Sequence, residues 1–193
     1  MYEYLDKVLK KYVVQIYHLS RKYRQTKSDE MNVPGEINEL YSRMDELARE
    51  AYREIAEYYY RSEKGKQDID WTEWLAEVLR NPDPTLKYAF DAEEIRKRDR
   101  LVEALLATCG SVADFDRALS YGVLMFGWEA VSVADAAMAE AREKNDVELV
   151  VWRSEHDNKV CDRCWKLNGK VFHLTTLPPK PHPNCRCWTE VYE

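Results

Sequence analysis

Residues 161–187 read CDRCWKLNGKVFHLTTLPPKPHPNCRC, and this stretch holds four of the five cysteines of the chain. Cys161 and Cys164 form one close pair, and Cys185 and Cys187 form a second pair after twenty intervening residues. Thiolates are the soft, anionic ligands that zinc prefers, and two ligands so close in sequence can bind one ion from a single tight turn. The stretch therefore predicts a metal site that holds the end of the chain together.

Five side chains compete for the four places of a tetrahedral zinc site. We favour the set Cys161, Cys164, His182 and Cys185. His182 and Cys185 repeat the spacing of the first cysteine pair, so the site would consist of two facing pairs. Cys187 is the alternative to His182, because residues i and i+2 share one face of a strand. Four protein ligands leave no place for water or substrate, so the predicted Zn²⁺ is structural.

The composition limits the classes of protein to be considered. The 193 residues carry a formal net charge of -6, which gives no support to a nucleic-acid-binding protein with a basic face. The first residues, MYEYLDKVLKKY, contain scattered charges, so we expect neither a secretion signal nor a membrane span there. In a reducing cytosol, clustered cysteines are more often metal ligands than disulfides. The fifth cysteine, Cys109, is expected to be a small buried apolar residue.

Apolar residues at spacings of three and four predict two long amphipathic helices in the first third of the chain. The first covers residues 2 to about 25, and the second runs from Pro34-Gly35 to Lys64-Gly65-Lys66. Such a pair is expected to form an antiparallel hairpin. Asp70, with Glu73 three residues later, predicts the start of a short third helix.

The middle of the chain contains its strongest turn signal, Asn81-Pro-Asp-Pro84, since two prolines in three residues do not continue a helix. This turn is the expected internal boundary. A helix is predicted from Asp91 to Gly110, and another from Ser111 to about Lys144 with Gly122 and Gly127 as candidate kinks.

Three short β-prone runs follow, at residues 148–152, 170–174 and 187–192, with a turn predicted at Asn168-Gly169. Three such strands bury little surface, so a bound metal is expected to stabilise them. The predicted fold is mainly α: a long-helix hairpin and helical bundle, followed by a small C-terminal β module stapled by zinc. The predicted domains are 1–81 (hairpin plus short helix), 82–146 (central helices) and 147–193 (zinc-binding β module).

Enzymatic alternatives receive less support from the sequence. A catalytic zinc needs an open coordination place and a neighbouring acid or base, but Glu155 and Asp157 are the only carboxylates just before Cys161, and no HxE or HExxH motif is present. An HNH-like metal-dependent nuclease remains an alternative because His156-Asp157-Asn158 and His182-Pro-Asn184 offer its residue types, although the helix that such a nuclease needs after its hairpin is not predicted. A host zinc-ribbon adaptor protein is the third alternative. We predict that the chain is not an enzyme.

The residues around the predicted ligands carry a more specific pattern. Trp152 and Asp157 precede VCDRC at residues 160–164, and the Leu167-Asn-Gly169 turn and HPNCRC at residues 182–187 follow. Over about residues 150–188 this pattern resembles the C-terminal signature of the phage head morphogenesis family, the Mu F-type minor capsid (minor head) proteins of tailed phages and prophages. The helical segment GWEAVSVADAAMAEAREKN before it is similar to the order seen in that family.

This resemblance implies a structural minor head protein that acts in head assembly, DNA packaging or DNA delivery. It implies a place in the virion, at the portal vertex or in the capsid interior, after synthesis in the bacterial host cytoplasm. The implied partners are the portal and other phage head proteins, with transient contact to genome DNA, an oligomeric form in the virion and no membrane. The resemblance implies the same zinc ligands, no catalytic residues, and a hydrogen-bonding role behind the ligands for Asp157.

Overall fold

The structure, a computed structural model, describes residues 2–26, 34–80, 112–155, 160–178, 180, 185 and 187–192. The predicted turn at residues 81–84, the helix predicted from Asp91 to Gly110, and Cys109 lie outside this part of the chain. In this part of the chain, the helices before the first strand are α1 (Glu3–Thr26), α2 (Pro34–Ser62), α3 (Trp71–Arg80) and α4 (Val112–Lys144). The C-terminal region contains β1 (Leu149–Arg153), α5 (Asp162–Leu167), β2 (Val171–His173), a 3-10 turn (Leu174–Thr176) and β3 (Trp188–Val191). The prediction of a mainly α fold with a small C-terminal β module is confirmed.

The first two helices pack side by side in opposite directions, as predicted. Tyr4, near the start of α1, stacks on Tyr58, near the end of α2, with ring centroids 3.7 Å apart. At the other end of the pair, Ile16 packs in one buried cluster with Leu40 and Met44. These two contacts fix the antiparallel hairpin.

The third long helix, α4, lies against both members of the hairpin. The Phe126 ring lies 5.6 Å from the Tyr12 ring of α1 and 5.1 Å from the Tyr52 ring of α2. Around it, α4 presents a stripe of fully buried alanines, whose small side chains let helix backbones approach closely: Ala130, Ala134, Ala137 and Ala141. The helix continues through both Gly122 and Gly127. The main hydrophobic core therefore lies between α1, α2 and α4.

By length and composition alone, residues Asp116–Lys144 of α4 are apolar enough to cross a membrane. Of an 18-residue apolar window within that stretch, 53% is buried inside the protein. The buried side packs against α1 and α2, and a core helix of a bundle meets the same two criteria.

Two helices end with a non-glycine residue in the left-handed backbone region. These residues are Lys64 after α2, with φ 63°, and Asp146 after α4, with φ 54°. In each case the next N–H bonds back to a carbonyl of the last turn: Gly65 to Tyr60 at 3.0 Å, and Val147 to Arg142 at 2.9 Å. This is the Schellman pattern of helix ends.

The glycine in the predicted stop Lys64-Gly65-Lys66 is required by the packing of the turn. Gly65 is not the left-handed residue of the turn, since that position belongs to Lys64. A Cβ at Gly65 would instead overlap the ring of Tyr60, which is fully buried. Glycine is needed there because the turn passes close to a core tyrosine.

The predicted start of α3 is confirmed. One carboxylate oxygen of Asp70 accepts hydrogen bonds from the backbone N–H groups of Thr72 (2.9 Å) and Glu73 (3.2 Å). These are the donors that the first turn of a helix leaves without partners.

The C-terminal strands form one antiparallel sheet in the order β2-β1-β3. In the central strand, Val150 is paired with Phe172 on one side and with Val191 on the other. Val150 and Trp152 are buried beneath the sheet, where they pack with the cysteines. The sheet is therefore the platform on which the cysteine cluster is assembled.

The connection between β1 and β2 contains a short helix, where only turns are predicted from the sequence. Cys161 caps the N-terminus of the short helix α5, so the first cysteine pair begins a helix instead of forming a plain turn. Asn168 and Gly169 then close that helix, and Gly169 adopts a φ of 77°. The difference arises because the Cys161 side chain accepts the N–H of Cys164 and so acts as an N-cap.

One buried arginine joins the sheet to the helices. Arg142, near the end of α4, is 2% exposed. Its guanidinium donates to both carboxylate oxygens of Glu63, at 3.0 and 2.8 Å. It also donates to the hydroxyl and the carbonyl oxygen of Thr189 in β3, at 2.6 and 2.9 Å. The C-terminal module is thus fixed on the bundle by charge-assisted hydrogen bonds.

Candidate metal centre

The cysteine side chains converge beneath the sheet from two directions. Cys161 and Cys164 come from the cap and first turn of α5, and Cys185 and Cys187 come from the segment leading into β3. Cys164, Cys185 and Cys187 are buried, and Cys161 is partly exposed. The four thiols are free of disulfide bonds, although they lie close together.

The distances between the sulfur atoms suit a common metal ion. The Sγ of Cys164 lies 3.3 Å from that of Cys161 and 3.3 Å from that of Cys185. The Sγ atoms of Cys164, Cys185 and Cys187 all lie within 4.8 Å of one another. Zinc–sulfur bonds of about 2.3 Å in a tetrahedron separate neighbouring sulfurs by about 3.8 Å. The three buried sulfurs are thus close to the separation that such an ion requires.

The electrostatics of the cluster favour one thiolate among neutral thiols. Hydrogen bonding from Cys185 lowers the pKa of Cys187 to about 5. Burial raises the pKa of Cys164 to about 12. The pKa of Cys185 is also raised, first by its hydrogen bond with Cys187 and then by burial. A second or third thiolate at this site needs a compensating positive charge, and a divalent cation supplies it.

Ser154 supports the cluster from behind, a role that no pattern in the sequence indicates. Its hydroxyl donates to the carbonyl oxygen of Cys164 at 2.9 Å and lies 3.3 Å from the Sγ of Cys187. Its backbone N–H donates to the side chain of Asn168 at 3.0 Å. Ser154 therefore connects the end of β1 to both cysteine segments. A serine after a strand is too common to reveal this role.

The structure describes some of the predicted ligands and not others. It brings Cys161, Cys164 and Cys185 together, and it places Cys187 in the same cluster. His182 and Asp157 lie outside the described residues. The choice between His182 and Cys187 as fourth ligand, and the role of Asp157, stay predictions.

A second buried polar network attaches the cluster to the helices, and it too was not predicted. Lys180 forms an ion pair of 2.5 Å with Asp135 of α4, and the two side chains are 6% and 4% exposed. The Tyr2 hydroxyl donates to Asp135 at 2.7 Å, accepts from Lys180 at 2.7 Å, and lies 3.3 Å from the carbonyl oxygen of Cys187. Burial and the Asp135 carboxylate raise the pKa of Tyr2 well above its usual range.

The comparison with protein families identifies this part of the chain. Residues 123–190 match the family described as Phage Mu protein F like protein. The C-terminal region is phage Mu F-like. The family match thereby confirms, over these residues, the resemblance that the cysteine motif carries. Comparisons with curated proteins and with solved structures found no significant match.

The matched residues correspond to one physical unit of the structure. They cover the part of α4 from Val123 onward and the module through Glu190 of β3. Asp135 and Arg142, the two α4 residues that hold the module, lie inside this range. The Mu F-like unit is therefore a helix together with the cysteine module that is bonded to it.

Proposed function

We propose that the chain is a structural minor head (minor capsid) protein of a tailed phage or prophage. It acts in head assembly, DNA packaging or DNA delivery, at the portal vertex or in the capsid interior, after synthesis in the host cytoplasm. The observation that carries this proposal is the Mu F-like match over residues 123–190. Portal and other head proteins are its proposed partners.

The proposed cofactor is one structural Zn²⁺ ion. Three buried cysteine sulfurs within 4.8 Å of one another support it, together with Cys161 beside them. Thiolate-rich sites select zinc among the common divalent ions, and a full ligand shell gives stability without chemistry at the metal. The proposed ligands are Cys161, Cys164 and Cys185 with either His182 or Cys187.

The proposed domains are residues 1–81, 82–146 and 147–193. Helices α1, α2 and α4 share one hydrophobic cluster, so the first two domains are expected to unfold as one unit. The third has its own small cluster, which contains the cysteines. Loss of the metal is therefore expected to loosen the third domain first.

Location in the head is tested by sedimenting particles from cells that produce the phage. The chain should co-sediment with heads and with purified portal protein, and it should be missing from particles made without its gene. A chain found only in the soluble fraction, or one that cleaves DNA when magnesium or manganese is added, would contradict the proposed function. The gene should be supplied in trans as the matched control.

The fourth ligand is tested by replacing zinc with Co²⁺, whose absorption bands report the number of bound thiolates. If Cys187 is a ligand, Cys187→Ser reduces the thiolate-to-cobalt charge-transfer band and His182→Ala leaves it unchanged. If His182 is the ligand, the His182→Ala variant shifts the visible bands and Cys187→Ser does not. A cobalt spectrum without thiolate bands in the unmodified chain would contradict the proposed ligand set.

A further inference from the structure

An apolar groove runs between α1 and α4. It encloses about 630 Å³. Its walls include apolar residues of both helices: Leu9, Val13, Val123, Leu124 and Val131. Leu124 is 43% exposed at the rim, and a Cβ at Gly127 would meet nothing within 4 Å. This part of the bundle surface is open and apolar.

The groove continues onto an exposed stripe of α1, here called the outer face. The stripe consists of Asp6, Lys10, Val14, Tyr17 and Arg21, all exposed and spaced by three or four residues along one side of the helix. Val14 is 53% exposed and Tyr17 is 45% exposed. Two large apolar side chains thus lie in the middle of the stripe, with charges at both ends.

The charges along the outer face are complementary to those of a second copy of the same face placed antiparallel to it. A negative residue stands at one end, Asp6, and a positive residue at the other, Arg21. If two such helices lie antiparallel, with Val13 of one opposite Val14 of the other, Asp6 faces Arg21 at both ends. In the same register Lys10 faces Tyr17, which allows a cation–π contact. A two-fold interface requires this self-complementarity.

We propose that the outer face of α1 binds the outer face of a second copy of this chain, in antiparallel orientation. The exposed Val14 and Tyr17 of each copy then cover the apolar groove beside α1 of the other. This dimer contact does not depend on the proposed place in the phage head, so it can be tested with the purified chain.

The charges around the groove argue against two other occupants. Glu3, Asp6 and Glu155 line its end near the cysteine module, and all three are exposed. Carboxylates at this end repel phosphates, so nucleic acid and anionic membranes are disfavoured. The same carboxylates attract the basic end of a second α1.

The test is a charge exchange followed by sedimentation velocity over a range of concentrations of the full zinc-loaded chain. The unmodified chain should show a concentration-dependent dimer. Asp6→Arg and Arg21→Asp should each weaken that dimer by about tenfold, because attraction becomes repulsion at two symmetric places. The double variant should restore the dimer, since the opposite charges then meet again.

An equimolar mixture of the two single variants should also form dimers, because each contact in the mixed pair joins opposite charges. The control is Glu46→Arg, which reverses an exposed charge on α2 and should leave dimerisation unchanged. Circular dichroism should show every variant folded. A chain that is monomeric at all concentrations, single variants that match the control, or a double variant without restored dimer would each overturn the proposal.

Discussion

Replacing Arg142 with alanine should weaken the attachment of the cysteine module to the helices and lower the free energy of unfolding of the chain. The guanidinium is almost fully buried and donates four hydrogen bonds, two to Glu63 and two to Thr189. Removing one partner of a buried ion pair costs about 3–5 kcal/mol. Glu63 is 18% exposed and can regain some hydration. We therefore expect Arg142→Ala to lower the free energy of unfolding by about 3 kcal/mol. For a chain of this size that corresponds to a fall in Tm of roughly 10 °C.

Urea unfolding of the zinc-saturated chain, followed by circular dichroism, measures this effect. The free energy of unfolding of Arg142→Lys should lie between those of Arg142→Ala and the unmodified chain, because an ammonium group keeps the charge but not the bidentate geometry. The matched control is Arg153→Ala in the same module. Arg153 pairs with Glu190 at 2.8 Å, but both side chains are 43% exposed, so its loss should cost less than about 1 kcal/mol. An Arg142→Ala cost no larger than that of Arg153→Ala would refute the reasoning.

Three further predictions concern the helices. Gly65→Ala should lower the free energy of unfolding by about 1–3 kcal/mol in a urea titration, because the added methyl group overlaps the buried Tyr60 ring; an unchanged midpoint would contradict the close approach. Asp146→Gly should raise the stability by up to about 1 kcal/mol in calorimetry, since it relieves a left-handed non-glycine backbone; a lower Tm would count against this. Burial raises the pKa values of Tyr12 and Tyr59 to about 12, against about 10 in the unfolded chain. The stability linked to these protonated hydroxyls is therefore complete below about pH 10 and lost as the pH rises toward 12; an absorbance titration in which all tyrosines of the folded chain ionise near pH 10 would disagree.

The helices and the cap of α3 could be predicted because their signals are local. The apolar period of α1 and α2 is repeated over many turns, so each buried stripe was visible in the sequence. Asp70 stands directly before the first helical residue of α3, where its carboxylate reaches the free N–H groups. The three strands were likewise placed to within about one residue, because their β-prone runs are short and bounded.

The contacts that assemble the module could not be predicted, because they join residues distant in sequence. Arg142 meets Glu63 across 79 positions, and Tyr2 meets Asp135 across 133. No local sequence pattern indicates either contact, since a charged residue on a helix normally stays in water. The position of Cys187 in the cluster depends on the path of the chain into β3. Its spacing from Cys185 alone does not decide whether Cys187 or His182 is the fourth ligand. Similarly, Gly65 looked like a turn residue, and its real constraint is a ring five positions earlier.

The central claim is that a bound structural metal holds the phage Mu F-like module together. Its most direct test is native mass spectrometry of the purified full chain, combined with thermal unfolding before and after chelation. We predict one zinc ion per chain, loss of that ion in Cys164→Ser, retention in Cys109→Ser, and a lower Tm after chelation. A chain that carries no metal, or one whose Tm is unchanged when the metal is removed, would contradict the claim.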